Sequence, residues 1–217
     1  MSGTFNINSS DDSIHCNNNI VISGGSINTV AGDDGIHADN YLSVDGGNIF
    51  VNASGDGLDA NGSIYIKGGN IEVAGPMSSG NGALDYDREC IITGGEFIAY
   101  GSSGMSQKPS SSSTQYVVTI NGNYSEGDKL EIINGENVVY TCTLKKKCQS
   151  IIISSNLLKA DTEYSLRINN EIVETFRVSN IVTSIGGGTN GVNGAKNEME
   201  KQRPNNGNRI NPNTEKN

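Results

Sequence analysis

The sequence predicts an all-β chain: a right-handed parallel β-helix, then a small antiparallel β-sandwich-like domain, then a disordered tail. Three observations predict it. An apolar residue behind an acidic, glycine-rich knot recurs at Ile14, Ile36, Leu58 and Leu84, and Gly-Gly pairs recur at Gly24-Gly25, Gly46-Gly47, Gly68-Gly69 and Gly94-Gly95, both with steps of 22, 22 and 26 residues. Between these landmarks apolar and polar residues alternate with period two, as strands with one buried face require. After Ser113 that spacing is lost, and beyond Ile185 apolar residues almost vanish.

The repeating half comes first. Short runs such as Ile20 with Ile22, Leu42 with Val44, Ile64 with Ile66 and Cys90 with Ile92 precede or meet each Gly-Gly, and Ile27, Ile49 with Val51, Ile71 with Val73 and Phe97 with Ala99 follow it. Each unit thus holds two clear strands, a glycine corner and a third, irregular segment. With 28 Gly, no Trp and four Phe in 217 residues, no unit carries enough apolar surface to fold alone, and stacking is the physical solution. A leucine-rich repeat would need several leucines per unit, and a calcium-binding nonapeptide roll would repeat every nine residues. The opening run "GTFNINSSDDSIH" reads as the second half of a coil, so the chain is expected to begin inside a longer solenoid. The predicted divisions are residues 1–112 for the β-helix, 113–184 for the sandwich and 185–217 for the tail. In the second division "YVVTI", "DKLEII", "NVVYTCTL", "QSIIISS", "EYSLRIN" and "ETFRVS" alternate as short strands joined by turns, suited to capping the open end of a solenoid.

The acidic knots carry the chemistry. In a parallel coil equivalent residues stack about 4.8 Å apart, which aligns Asp12, Asp34, Asp56 and Asn81 in one column, the last by allowing one inserted residue, Ala83. His15, His37, Asp59 and Asp85 form a second column, and Asn17, Asp39, Asn61 and Asp87 a third. Two carboxylates about 5 Å apart repel by about 3 kcal/mol at an effective dielectric of 20. Residues 1–110 hold only Lys67, Arg88 and Lys108 against thirteen Asp and Glu, so the offset is expected from a bound cation. Asp, Asn and carbonyl oxygens are the hard ligands Ca²⁺ takes. The candidate ligands are Asp12, Asp33, Asp34, Asp56, Asp59, Asn61, Asn81, Asp85 and Asp87, with sites mainly between the second and fourth coils. The plainer reading stands beside this one: Asp-Gly and Asn-Gly are ordinary turn chemistry, and His15 and His37 suit stacking at the corner better than Ca²⁺ ligation.

The net charge of −9 and pI near 4.7 argue against nucleic acid or an anionic membrane surface as a direct partner. No stretch is apolar enough for insertion as a membrane helix, and the N-terminal "MSGTFNINSS" has no signal-peptide core. The run from Ala31 to Gly101, with its "GNGALDYD" and the "GSSGM" and "SSSSTQ" that follow, resembles a family of bacterial cell-surface, calcium-binding β-helix proteins. These associate with plant cell-wall polysaccharide, both pectin and cellulose, and are related to pectate lyases of polysaccharide lyase family 9. The resemblance covers roughly residues 3–182. It implies a monomeric, extracellular or cell-surface protein whose partner is a polysaccharide and whose cofactor is Ca²⁺.

Three functional classes compete. A lyase would need a base, and the only lysine within the coils is Lys67, beside a Gly-Gly corner and away from the acid columns; no catalytic residue is assigned. A structural or adhesin solenoid would keep the calcium without a sugar. Binding is the favoured reading. Tyr41, Tyr65, Tyr86 and Tyr100 fall in four different columns, which leaves no flat aromatic strip for a neutral glucan. An acidic polymer could instead meet Ca²⁺ near Asp34, Asp56, Asp59 and Asp85. Of the cysteines, Cys90 and Cys16 read as small core residues, whereas Cys142 and Cys148 would oppose each other if "CTLKKKC" formed a hairpin.

Overall fold

A computed structural model describes residues 3–78 and 80–186, which form one compact unit. All regular elements among them are strands. The first coil contributes β1 (Thr4–Ser9), β2 (Ile14–Cys16) and β3 (Asn19–Ile22), and the second β4 (Ser26–Ala31), β5 (Ile36–Ala38) and β6 (Tyr41–Val44). The third has β7 (Asn48–Ala53), β8 (Leu58–Ala60) and β9 (Ser63–Ile66); the fourth has β10 (Asn70–Ala74), β11 (Leu84–Tyr86) and β12 (Glu89–Ile92), with β13 (Glu96–Gly101) completing the stack. The irregular segment of each repeat is therefore a three-residue strand, and the three strands per coil build three parallel ladders.

Side-chain alternation explains the coil. Ile36, Leu58 and Leu84 stack in register, as do Val51 and Val73, and all are essentially withdrawn from solvent. Burying a side chain of this size is worth about 1.5–3 kcal/mol, so the column, rather than any one coil, stabilises the fold. The Gly-Gly corners are set by backbone shape: Gly25, Gly47, Gly69 and Gly95 have φ between 87° and 107°, a region that L side chains rarely adopt. A Cβ at Gly95 would lie 2.8 Å from the Gly69 carbonyl oxygen. The longer third step is taken up by the loop between β10 and β11, leaving Leu84 opposite Leu58.

The end of the stack is closed in two ways. Along the short ladders, the Gln107 amide oxygen and the Ser110 and Ser113 hydroxyls accept from the backbone N–H groups of Tyr86, Cys90 and Ile92 at 3.0–3.1 Å. Side chains of the Ser-rich segment thus supply acceptors where a next coil would have been. Along the long ladder, the terminal strands β14 (Val117–Tyr124), β15 (Lys129–Asn134), β16 (Asn137–Thr143), β17 (Cys148–Ser154), β18 (Thr162–Ile168), β19 (Glu171–Val178) and β20 (Val182–Gly186) take over. β17 pairs antiparallel with β13 and is followed by β14 and β20, so one eight-stranded sheet runs from β1 to β20. β16, β15, β18 and β19 form an antiparallel sheet, and the two sheets share a second core that includes Tyr100, Ile120, Ile132, Ile151 and Leu166.

Two expectations change here. β16 and β17 do not form a hairpin but enter different sheets, so Cys142 pairs across to Leu130 and Cys148 to Tyr124, and all four cysteines are free. The tail expected over 185–217 lies, apart from Ile185 and Gly186, outside the described residues.

Candidate functional site

The corner before β2, β5, β8 and β11 gathers the acidic residues. Each of these strands turns its first residue into the core, Ile14, Ile36, Leu58 or Leu84, and the alternation leaves the middle residue, His15, His37, Asp59 or Asp85, on the other face. The residue two positions before each strand faces the same corner. Asp12 Oδ1 accepts from Asp34 N (3.1 Å), Asp34 Oδ1 from Asp56 N (2.6 Å) and Asp56 Oδ1 from Gly82 N (2.6 Å). One oxygen of each carboxylate therefore ties its coil to the next, which is the structural, turn-like role. The other oxygen remains for the histidine column: Asp12 Oδ2 lies 3.4 Å from His15 Nδ1, and Asp34 Oδ2 3.4 Å and Asp59 Oδ2 3.1 Å from His37 Nδ1.

Register corrects the fourth rung of the first column. The partner of Asp56 is Gly82, not Asn81, because the extra residues lie upstream in the loop and Ala83 is not an insertion; it sits opposite Gly57. Asn81 is one residue out of the column. The second column runs as expected through His15, His37, Asp59 and Asp85 and ends on Gln107, whose amide donates to Asp85 Oδ1. In the third column Asn61 Nδ2 approaches Asp39 Oδ1 at 3.4 Å, and Asp87 lies exposed one rung further. The two imidazoles stack with centroids 4.7 Å apart.

Charge is concentrated here, and protons relieve part of it. Burial, with Asp34, Asp85 and Asp33 nearby, pushes the Asp56 carboxyl up to about 6 against the opposing hydrogen bond from Gly82 N–H. Burial likewise pushes Asp59 up to about 7, against the attraction of His37. Burial also raises Asp34, aided by Asp12 and Asp33. For His37 burial works against the charged ring, but Asp59, Asp34 and Asp12 outweigh it and its pKa lies above the ordinary value. Its Nε2 is buried without a hydrogen-bond partner, although Asp39 Oδ1 is 3.3 Å away. These shifts are what closely spaced acids in a partly desolvated corner produce.

Among the described residues, three sets place potential ligand atoms within 4.8 Å of one another: Asp11, Asp12 and Asp33; Asp12, Asp34 and His37; and His15, His37 and Asp39. The all-carboxylate set matches the hard oxygen donors of Ca²⁺, and the histidine sets suit a softer divalent ion better. Gly55 completes a cradle over this corner. A Cβ there would press on Asp34 Oδ1 and lie 2.5 Å from Asp33 Oδ1 and 2.8 Å from the Asp33 carbonyl carbon. The densest grouping thus involves the first two rungs, whereas sequence spacing pointed to the second through fourth. Asp11 joins this grouping although it is outside the candidate ligands read from sequence; the Asp-Asp pair at 11–12 returns at 33–34, one coil later.

Lys67 stands elsewhere, just beyond β9, with its ammonium 3.1 Å from Asp45 Oδ1. Tyr41 and Tyr65 do occupy different columns, but their rings meet edge to face at 6.1 Å.

No curated protein and no solved structure matches the chain. Residues 1–145 match the profile of a family described as carbohydrate-binding domain-containing protein. The matched segment takes in every coil of the solenoid and the first strands beyond it, and on that match the chain belongs to this carbohydrate-binding domain family.

Proposed function

We propose that this chain is a non-catalytic module that binds a uronate-containing plant cell-wall polysaccharide through calcium at the acidic corner, at or outside the cell surface. Family membership supports carbohydrate binding. The observation that carries the finer reading is the set Asp11, Asp12 and Asp33, whose carboxylate oxygens lie within 4.8 Å of one another, beside the overlapping set Asp12, Asp34 and His37, with Gly55 packed closely on Asp33 and Asp34. Asp12 and Asp34 spend one oxygen on the next coil's backbone and turn the other toward the histidine column, so the coil geometry holds the acidic corner in shape. Asp56, Asp59 and Asp85 extend the acidic strip along the solenoid axis. Bound Ca²⁺, with six to eight flexible ligands, supplies positions that uronate oxygens can fill and removes the repulsion between polymer and strip. Lys67 is held to Asp45, away from the acidic strip, and is poorly placed to act as the base of a lyase.

Affinity electrophoresis tests this reading. Migration should be retarded in gels containing polygalacturonate and calcium, less so with a carboxyl-esterified polymer, and not at all with EGTA. Undiminished retardation in EGTA would remove calcium from the account, and release of ultraviolet-absorbing unsaturated product would place the chain among the lyases.

A further inference from the structure

Both histidines of the chain lie in one place. His15 on β2 and His37 on β5 are register partners on adjacent rungs, and their rings stack with centroids 4.7 Å apart and planes 25° from parallel. One nitrogen of each ring faces carboxylates. His15 Nδ1 lies 3.4 Å from Asp12 Oδ2, and His37 Nδ1 lies 3.4 Å from Asp34 Oδ2 and 3.1 Å from Asp59 Oδ2. A carboxylate at Nδ1 keeps the proton on that nitrogen and leaves the lone pair on Nε2, which is how metal-ligating histidines are oriented. The column changes from His to Asp at the third rung, and there Asp59 backs the His37 ring instead of extending the pair.

The two Nε2 atoms converge on one carboxylate oxygen. Asp39 Oδ1 is 3.3 Å from His37 Nε2 and 3.9 Å from His15 Nε2, and one ligand atom from each of the three residues lies within 4.8 Å of the others. The Asp39 backbone N–H donates to Cys16 O at 3.0 Å, which holds the carboxylate against the first coil. His37 Nε2 is withdrawn from solvent without a hydrogen-bond partner, a state that costs stability until a partner is supplied. The side chains of His15 and Asp39 are 45% and 42% exposed, so an ion has a path in from solvent and a position left open to water.

Two imidazoles and a carboxylate are not a calcium set. Ca²⁺ takes six to eight oxygens, whereas Zn²⁺ and its neighbours in the first transition row accept imidazole nitrogen together with carboxylate oxygen. Two donors each about 2.0–2.1 Å from a tetrahedral Zn²⁺ stand about 3.3 Å apart, the separation of Asp39 Oδ1 from His37 Nε2. Only the half-exposed His15 ring has to close in.

We infer that His15, His37 and Asp39 form a transition-metal site that takes one Zn²⁺-like ion per chain through the two Nε2 atoms and the Asp39 carboxylate, with solvent completing the sphere. The inference rests on neither the calcium nor the polysaccharide of the proposed function, because its nitrogen donors lie on the opposite edge of the rings from Asp12 and Asp34.

Calorimetry of the full chain with zinc chloride, in excess calcium so that all-oxygen sites are occupied, tests it. One equivalent of Zn²⁺ should bind, and His15→Gln, His37→Gln and Asp39→Asn should each weaken it by about tenfold or more. Asp87→Asn, exposed and two rungs further along the column of Asp39, should leave it unchanged. Cu²⁺ in place of Zn²⁺ adds a readout that loss of stability does not mimic: its paramagnetic resonance spectrum should show coupling to two nitrogens in the native chain and to one in either histidine variant. If His37→Gln proves unstable, the half-exposed His15→Gln carries the test. No zinc binding in the presence of calcium, or a copper spectrum without nitrogen coupling, would overturn the inference. Zinc binding indifferent to the histidine variants would overturn it as well and assign the ion to the acidic strip or to a cysteine.

Discussion

Replacing Gly55 by alanine adds one methyl group to the corner where the acidic cradle closes. The backbone there does not require positive φ, so the cost comes from space. The new Cβ would meet Asp33 Oδ1 at 2.5 Å and the Asp33 carbonyl carbon at 2.8 Å, in addition to Asp34 Oδ1. A carboxylate can rotate away, but the carbonyl carbon is backbone, and its oxygen accepts the hydrogen bond from Gly55 N at 2.8 Å. Overpacking of this kind costs about 1–3 kcal/mol. For a domain of this size each kcal/mol lowers Tm by roughly 2–4 °C. Gly46→Ala is the matched control, because its nearest atom would be Ser23 O at 3.4 Å. Thermal melts followed by circular dichroism, with and without calcium, should show Gly55→Ala melting several degrees below Gly46→Ala and gaining less from calcium. Equal melting temperatures, together with an unchanged calcium increment, would refute the cradle.

The remaining predictions concern the same corner and its surroundings. Asp34, Asp56, Asp59 and His37 all have folded pKa values above their ordinary ones, so the folded chain holds extra protons. Metal-free stability should therefore fall as pH rises through about 6 and 7, with the sign that linkage dictates. Asp45, Asp128 and Glu131 are lowered by their hydrogen-bond and ion-pair partners and set the acid limb instead; urea melts across pH check both limbs, and a metal-free protein most stable above pH 8 would contradict the shifts. Asp34→Asn, which keeps the acceptor for Asp56 N–H, should weaken calcium binding by about tenfold in calorimetry, more than Asp56→Asn does; the reverse order would move the site toward the later rungs. Lys146 Nζ donates to Ala53 O at 2.7 Å and lies near the Ala74 and Gly75 carbonyls, so Lys146→Met should cost about 1–3 kcal/mol in denaturant melts, without affecting calcium affinity.

Much of this was legible in sequence because a solenoid writes its geometry as a period. Ile36, Leu58 and Leu84 fixed the coil phase, the Gly-Gly pairs fixed the corners, and the His15–His37–Asp59–Asp85 column followed from counting. Counting failed where the period broke. The longer third step could place either Asn81 or Gly82 opposite Asp56, and only the pairing of Leu84 with Leu58 decides. The closure of the short ladders was equally hidden. A run of serines reads as linker composition, yet Ser110 and Ser113 accept ladder hydrogen bonds. Nor does local sequence reveal that β17 joins β13 while β16 crosses to the other sheet; that pairing decides the fate of Cys142 and Cys148. Spacing aligned the acids in columns, but which ligand atoms approach within 4.8 Å of one another depends on rotamers that spacing does not encode.

Titration of the full chain with polygalacturonate in a calorimeter, first in calcium and then after addition of EGTA, tests calcium-bridged binding itself. A saturable binding isotherm is expected in calcium and none after chelation, with recovery when calcium is restored. The same isotherm in both conditions would contradict it.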